Sequence, residues 1–284
     1  MAPPVIRTNK AGPKGIMSDP GYSLPPGSCD THIHVVGPLD RHPLLVTRTI
    51  EPPQSTIDDF IATVMPLGIE RAVVVQPSVY ATDNACTLEG TAALGKAGRA
   101  VAVIEPSITD AELGALHRAG VRGVRLQSVA AGGQSPDLYE AIARRIKPLG
   151  WHLQLYVDAR NLPPILSLLR GLGVQLVFDH MAQIDSDSEE DGLGFHALLG
   201  LLRDGLAWVK LSNSFWIPRP SRARALFAAN PARSLWSSDW PHFAEIDPEI
   251  PDYGRFLARL AEWFPDPAAR KAILADNPDA LYFR

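Results

Sequence analysis

The sequence predicts an α/β protein built as a single-domain (β/α)8 barrel, and three observations predict it. Eight short runs rich in β-branched residues alternate along the chain with segments that repeat apolar residues at helical spacing. The length of 284 residues suits one barrel, which typically needs about 250. No Gly-x-Gly-x-x-Gly follows any of the runs, so the open doubly wound sheet, the other architecture with this alternation, lacks its usual phosphate-binding turn.

In chain order, the first 27 residues, MAPPVIRTNKAGPKGIMSDPGYSLPPG, are rich in Pro and Gly and lack the apolar core of a signal peptide. They are expected to form an extended arm (1–27), with the barrel occupying 28–284. The candidate strands are CDTHIHVV, RAVVVQP, RAVAVIEP, VRGVRLQS, WHLQLYVD, VQLVFDH, AWVKLSN and SLWSSDWP. Between them, helical spacing appears in Ile57, Phe60, Ile61 and Val64, in Leu162, Ile165, Leu166 and Leu169, and in Phe195, Leu198, Leu199 and Leu202. Helix starts are signalled by Ser55, by Thr109 with Glu112 three residues on, and by Ser135 before Pro136. Stops are signalled by Gly68, Gly120, Gly150 and Gly173. DNPDALYFR reads as a closing helix with Asn277 as its cap and Pro278 behind it.

Composition narrows the function. With 46% hydrophobic and 20% charged residues the chain can bury a large core. Its 27 basic and 31 acidic residues give a net charge of −4 and are spread along the chain. No basic stripe advertises nucleic acid or an anionic membrane, and small molecules are the expected partners. No apolar run approaches the ~18 residues of a membrane span. Cys29 and Cys86 cannot build a disulfide framework, so a reducing cytoplasm is the expected setting. The oligomeric state is not legible.

In a barrel, the catalytic face lies at the C-terminal ends of the strands. There the sequence sets His32 and His34, Gln76 and Ser78, Arg125 and Gln127, Tyr156 and Asp158, Asp179 and His180, Lys210, Ser212 and Asn213, and Asp239, Trp240 and His242. His32 and His34 share strand parity and so face one side. A lone buried histidine is more often a satisfied core residue than a ligand. A second one two residues away, with His180 and Asp239 at other strand ends, points to a site instead.

That constellation resembles the amidohydrolase superfamily, in which His-x-His ends strand one, another His follows a middle strand and an Asp ends strand eight. CDTHIHVVGP, RHPLLVTRTIEPP, VVVQPSVYATDN, RGVRLQS, WHLQLYVD, FDHM, WVKLSN, SSDWPH and NPDALY together are similar to the amidohydrolase-2 branch, which contains the 2-pyrone-4,6-dicarboxylate lactonases. The resemblance runs from about Cys29 to the C-terminus. It implies hydrolysis of a lactone, in the catabolism of aromatic or sugar acids, with Asp239 activating water and His32, His34 and His180 polarising the carbonyl without a metal. It also implies that Arg125 and Tyr156 hold a substrate carboxylate, for which a guanidinium is well suited. Ser78 and Asn213 are further candidate substrate contacts. Gln183 stands where that branch carries an Arg after DHM, and no Arg follows strand seven in KLSNSFW, so a monocarboxylated or sugar-type lactone is as well supported as a dicarboxylated pyrone.

Other chemistries stay open. The same four groups, His32, His34, His180 and Asp239, suit one Zn²⁺, as used by other hydrolases and decarboxylases of the superfamily. No cofactor is the favoured expectation, with one Zn²⁺ the alternative. A two-metal site is rejected, because no lysine stands between Trp151 and Asp158 to bridge the ions. Lactone isomerisation is a further alternative, and a non-catalytic small-molecule binder another, although binding alone does not call for a carboxylate among three imidazoles.

The supporting residues have structural readings too. Arg125 can pair with a carboxylate such as Glu105, Trp240 and Phe215 can simply pack, and His242 can buttress Asp239. His42, His117, His152 and His196 fall outside the strand ends. The acidic run DSDSEEDG, from Asp185 to Gly192, lacks calcium-loop spacing and reads as a solvated loop.

Overall fold

The computed structural model describes residues 6–7, 16–46, 50–127, 138–184, 189–212, 220–242 and 252–284. Its frame is eight parallel strands: β1 (Cys29–Ile33), β2 (Arg71–Val75), β3 (Gly98–Ala102), β4 (Val121–Gln127), β5 (His152–Tyr156), β6 (Leu176–Phe178), β7 (Ala207–Lys210) and β8 (Ser234–Leu235), hydrogen-bonded in chain order. The ring closes from β1 onto the segment after β8, through Thr31 N–H to Trp236 O at 3.2 Å, Asp239 N–H to His32 O at 3.0 Å and His34 N–H to Trp240 O at 2.8 Å. All eight predicted strands are present, and the result is a (β/α)8 barrel.

A helix follows each strand: α1 (Ile57–Thr63), α2 (Ala85–Leu94), α3 (Asp110–Arg118), α4 (Leu138–Ile146), α5 (Leu162–Gly171), α6 (Glu189–Arg203), α7 (Pro220–Ala229) and α8 (Tyr253–Trp263). α3 starts with the predicted capping box of Thr109 and Glu112. At α1 the cap is Thr56 with Asp59 rather than Ser55, which instead pairs backbone to backbone with Val36. Gly68, Gly120, Gly150 and Gly173 all take positive φ and end their helical segments. Ser135, Pro136 and residues 185–188 of the acidic run lie outside the described residues.

Two buried clusters separate the barrel's faces. Ile33, Val74, Leu126, Leu153, Phe178 and Val209 pack outward against the helices, while Cys29, Val73, Val75, Val177, Trp208 and Tyr282 fill the interior below the site. Tyr282 comes from the terminal helical segment, which plugs the N-terminal end of the barrel. Its neighbour Phe283 lies between Arg71 and Arg99, each guanidinium carbon 4.5 Å from the ring centroid. Asn277 does not cap that segment. It is helical itself (φ −68, ψ −46), and its amide donates to Pro231 O and Ser234 O, both at 2.8 Å.

Parity is interrupted once in β1. Asp30 pairs with Ala72 and Ile33 with Val74, so β1 carries one extra residue. The bulge lets Cys29, of odd number, and His32 and His34, of even number, share the interior. Before the barrel, Ser18 Oγ donates to Asp252 Oδ1 at 2.8 Å, and a side chain at Gly254 would overlap Ser18 O. No described helix is long and apolar enough to cross a membrane.

Candidate active site

His32, His34, His180 and Asp239 meet at the C-terminal mouth of the barrel. Asp239 Oδ1 lies 3.5 Å from His32 Nε2, 3.6 Å from His34 Nε2 and 3.7 Å from His180 Nε2. The imidazoles are nearly inaccessible, whereas the Asp239 side chain is 30% exposed and is the member of the group that opens to the mouth. His32 and His34 are edge to face, with centroids 4.7 Å apart.

The backbone is bent to achieve this. Asp179 and His180 are consecutive and in a regular strand would face opposite sides. His180 (φ 51, ψ 46) instead begins a left-handed turn through Met181, Ala182 and Gln183 that swings its ring in beside Asp179. Left-handed geometry costs a non-glycine residue about 1–2 kcal/mol, and such strain concentrates at functional sites. Asp239 (φ 61) and His242 (φ 64) share the feature. His242 N–H donates to Asp239 O at 3.0 Å, and its ring packs on Tyr253 and Phe256. Below, Asp30 Oδ1 accepts from His32 N–H at 3.2 Å and Ser238 N–H at 3.0 Å, pinning β1 to β8.

The imidazoles are oriented from behind. His34 Nδ1 faces Val75 O at 2.7 Å, and His180 Nδ1 faces Ser212 Oγ at 2.8 Å. His32 Nδ1 lies 3.1 Å from Lys210 Nζ and 3.2 Å from Asp179 Oδ1. Asp179 is the hub of this layer. Lys210 Nζ is 3.2 Å from its Oδ1, while Arg125 Nε and Gln154 Nε2 donate to Oδ2 at 3.0 and 3.1 Å.

Burial sets the protonation states. It lowers His34 to about 4 and pushes His32 and His180 below the ordinary imidazole range, so all three are neutral near pH 7. Burial alone would raise Asp239, but the facing imidazoles hold it below the usual carboxylate range. Asp179 follows the same pattern, its burial outweighed by Lys210, His32 and Arg125. Lys210 falls to about 8, burial outweighing the attraction of Asp179.

The other predicted contacts divide. Arg125 pairs with Asp179 rather than Glu105, and its guanidinium lies over the Tyr156 ring, 5.1 Å from the centroid. Tyr156 in turn meets His180 edge to face at 5.7 Å. Both therefore line the interior beside the histidines. Ser78 sits exposed on the short helical turn Ser78–Tyr80, and Gln183 is half-buried at the end of the left-handed turn. Gln76 faces away from the site and donates to Ala81 O and Asp83 O. Asn213 and Phe215 lie outside the described residues. Asp179, Lys210 and Gln154 form the layer behind the imidazoles, and motif matching did not select them. Their signal was parity, since Asp179 follows Val177 and Lys210 follows Trp208 on interior-facing positions.

The four-group centre fits a single divalent cation by donor chemistry. Ligand atoms of His32, His180 and Asp239 all lie within 4.8 Å of one another, and His34 Nε2 is beside them. It equally fits a carbonyl held among imidazoles with a carboxylate at the open side.

Comparison with known proteins agrees with this architecture. A 4-sulfomuconolactone hydrolase of Rhizobium radiobacter is 32% identical over 95% of both chains. A 2-pyrone-4,6-dicarboxylate hydrolase of Comamonas testosteroni is 32% identical over 94% of this chain and 93% of its own. A D-galactarolactone isomerase of Agrobacterium fabrum is 28% identical over 93% of each. The apo crystal structure of an Agrobacterium tumefaciens protein superposes with a TM-score of 0.81 at 29% identity, covering 93% of this chain and 98% of that one. The family model described as amidohydrolase matches residues 29–284, from the first residue of β1 to the last of the chain, and the protein belongs to that amidohydrolase family.

Proposed function

We propose that the protein is a lactonase that opens a carboxylated or sugar-type lactone by water attack. The carrying observation is the convergence of three imidazole Nε2 atoms on one oxygen of Asp239, the most open member of the group. Asp239 is ionised and can take a proton from water as the oxygen attacks the ester carbon. The carbonyl oxygen then gains charge beside the imidazoles of His32 and His180, which can present an Nε2–H to it; neutral His34 has its proton on Nδ1, toward Val75 O. Collapse breaks the ring C–O bond, and the proton on Asp239 passes to the departing oxygen. Arg125 gives its Nε to Asp179. Beside Tyr156 and the histidines, its guanidinium has the planar donor geometry that suits a substrate carboxylate. Relatives whose names specify lactones support the substrate class.

A second reading is isomerisation, supported by the D-galactarolactone isomerase relative. Asp239 would then move the proton between a substrate hydroxyl and the ring oxygen. If a divalent ion is held, His32, His34, His180 and Asp239 are its ligands, and it would supply Lewis-acid polarisation and a lowered pKa for water.

The test is steady-state assay of purified, metal-analysed protein against a lactone panel before and after chelation. Turnover with substoichiometric metal is expected. Strict dependence on about one zinc per chain would transfer the polarising role to the ion. Saturable binding with no turnover would identify a binder.

A further inference from the structure

We propose that Gln76 is a positioning residue for substrate binding: its buried side-chain amide clamps the loop after β2 and so sets Ser78 and Tyr80 at the mouth of the barrel. The inference rests on the lactonase reading for its effect on turnover.

Gln76 follows β2, points away from the four-group centre and is fully buried. Its Nε2 donates to Ala81 O at 3.0 Å and to Asp83 O at 2.8 Å, while its Oε1 accepts from Thr87 Oγ1 on α2 at 2.5 Å. Both amide hydrogens are thereby used. Only this orientation of the amide works, because the flipped one would set Oε1 against two carbonyl oxygens. The carbonyl between them, Thr82 O, accepts from Asn84 Nδ2 at 2.9 Å. Asn84 is itself buried and tied to the chain just past β3, through Nδ2 to Val103 O at 2.8 Å and Val103 N–H to Oδ1 at 3.0 Å. The successive carbonyls of Ala81, Thr82 and Asp83 are thus held by two buried amides.

The turn they hold needs such support. Asp83 N–H donates to Tyr80 O at 3.0 Å, and inside that turn Ala81 takes φ 45 and ψ −118, a conformation open to glycine but strained for alanine. Such geometry persists where surrounding contacts over-determine it, and it gathers at functional sites. Here it lies at the catalytic end of the barrel. Ser78 is exposed at the start of the loop. Val79 O accepts from Leu45 N–H at 2.9 Å, and Tyr80 Oη accepts from Gly37 N–H at 3.2 Å. Gly37 and Leu45 belong to the segment that runs on from His34, so the clamp braces the loops after β1 and β2 together.

The experiment is steady-state kinetics of full-length Gln76→Met, which keeps the length of the side chain and removes its hydrogen bonds, on the most rapidly hydrolysed lactone of the panel. KM should rise about 10-fold, with kcat within about threefold of wild type. Adding Ala81→Gly, which lets the turn form without strain, should restore much of the KM. A defect arising only from a weakened core would not be restored there. Thr87→Val keeps the shape and removes one hydrogen bond. It replaces Gln76→Met if that variant does not fold, and should raise KM about threefold. Unchanged KM in the folded variant, or a fall in kcat alone, overturns the proposal. If wild type turns over no lactone, the lactonase reading fails, and amide hydrogen exchange over residues 78–83 decides the clamp by itself. Faster exchange there in the variant than in wild type supports the clamp, and equal exchange overturns it.

Discussion

His32 Nε2 and His34 Nε2 lie 3.1 Å apart, too close for two unprotonated nitrogens to share the space without a proton or a cation between them. That contact concentrates the chemistry of the site, because whatever occupies it also faces Asp239 Oδ1.

Asp239→Asn keeps the shape of the side chain and removes the proton acceptor. Positioned acid-base groups contribute about 10²- to 10⁴-fold, so kcat on the cognate lactone should fall by that factor with KM nearly unchanged. Kinetics on protein verified by mass spectrometry to contain no deamidated Asp check it. Unchanged kcat would remove Asp239 from the proton transfers.

Arg125→Met should act chiefly through substrate binding. Truncating one partner of a buried charge pair costs about 2–5 kcal/mol, so kcat/KM for a carboxylated lactone should drop at least about 30-fold. A neutral lactone of the same ring should lose much less. Equal losses on both would indicate that Arg125 acts only by holding Asp179.

Stability should fall as the medium is acidified. Burial lowers His152 from 6.5 to about 3, with Lys210 adding to the effect. Between those values the unfolded chain binds a proton that the folded chain does not, so stability is complete above pH 6.5 and declines as pH falls through the window. His32, His34 and His180 are shifted in the same direction. Asp30 opposes them weakly, since burial raises it from 3.8 to about 6 and its folded form holds a proton over that range. The urea midpoint should decline from about pH 7 to about pH 4, and His152→Gln should flatten the slope. An unaltered slope would show that His152 is not buried neutral.

Gly123→Ala should destabilise by about 1–3 kcal/mol through overpacking. The His152 ring crosses Gly123, and a methyl group there would fall 2.3 Å from His152 Nε2. Urea denaturation measures the loss, and adding His152→Ala should recover much of it. No recovery in the double variant would place the strain elsewhere.

Much of this protein was legible before any coordinates. Strand order, helix alternation and the glycine stops are local patterns, and His-x-His, Asp-His-Met and Ser-Asp-Trp-Pro-His lie within a few residues of strand ends, so the sequence alone brought His32, His34, His180 and Asp239 to one mouth. Period-two parity also placed His32 and His34 on one face.

What only the tertiary structure decided is which partner each side chain finds across the barrel. Tyr156 was ambiguous in parity until β5 showed Leu153 and Leu155 packed outward. Arg125 had Glu105 as a candidate partner, yet its carboxylate is Asp179, across β5. The left-handed turn at His180 and the extra residue in β1 are the devices that aim Asp179, His180 and His32 together, and neither has a local signature, since non-glycine residues hold both. Asn277, which looked like a cap, is a strut to β8 because the helix continues through it. The reason is common to all of these. Periodicity is written in consecutive residues, whereas cross-barrel partners depend on the stagger of strands distant in sequence, fixed only when the ring closes between His32 and Asp239.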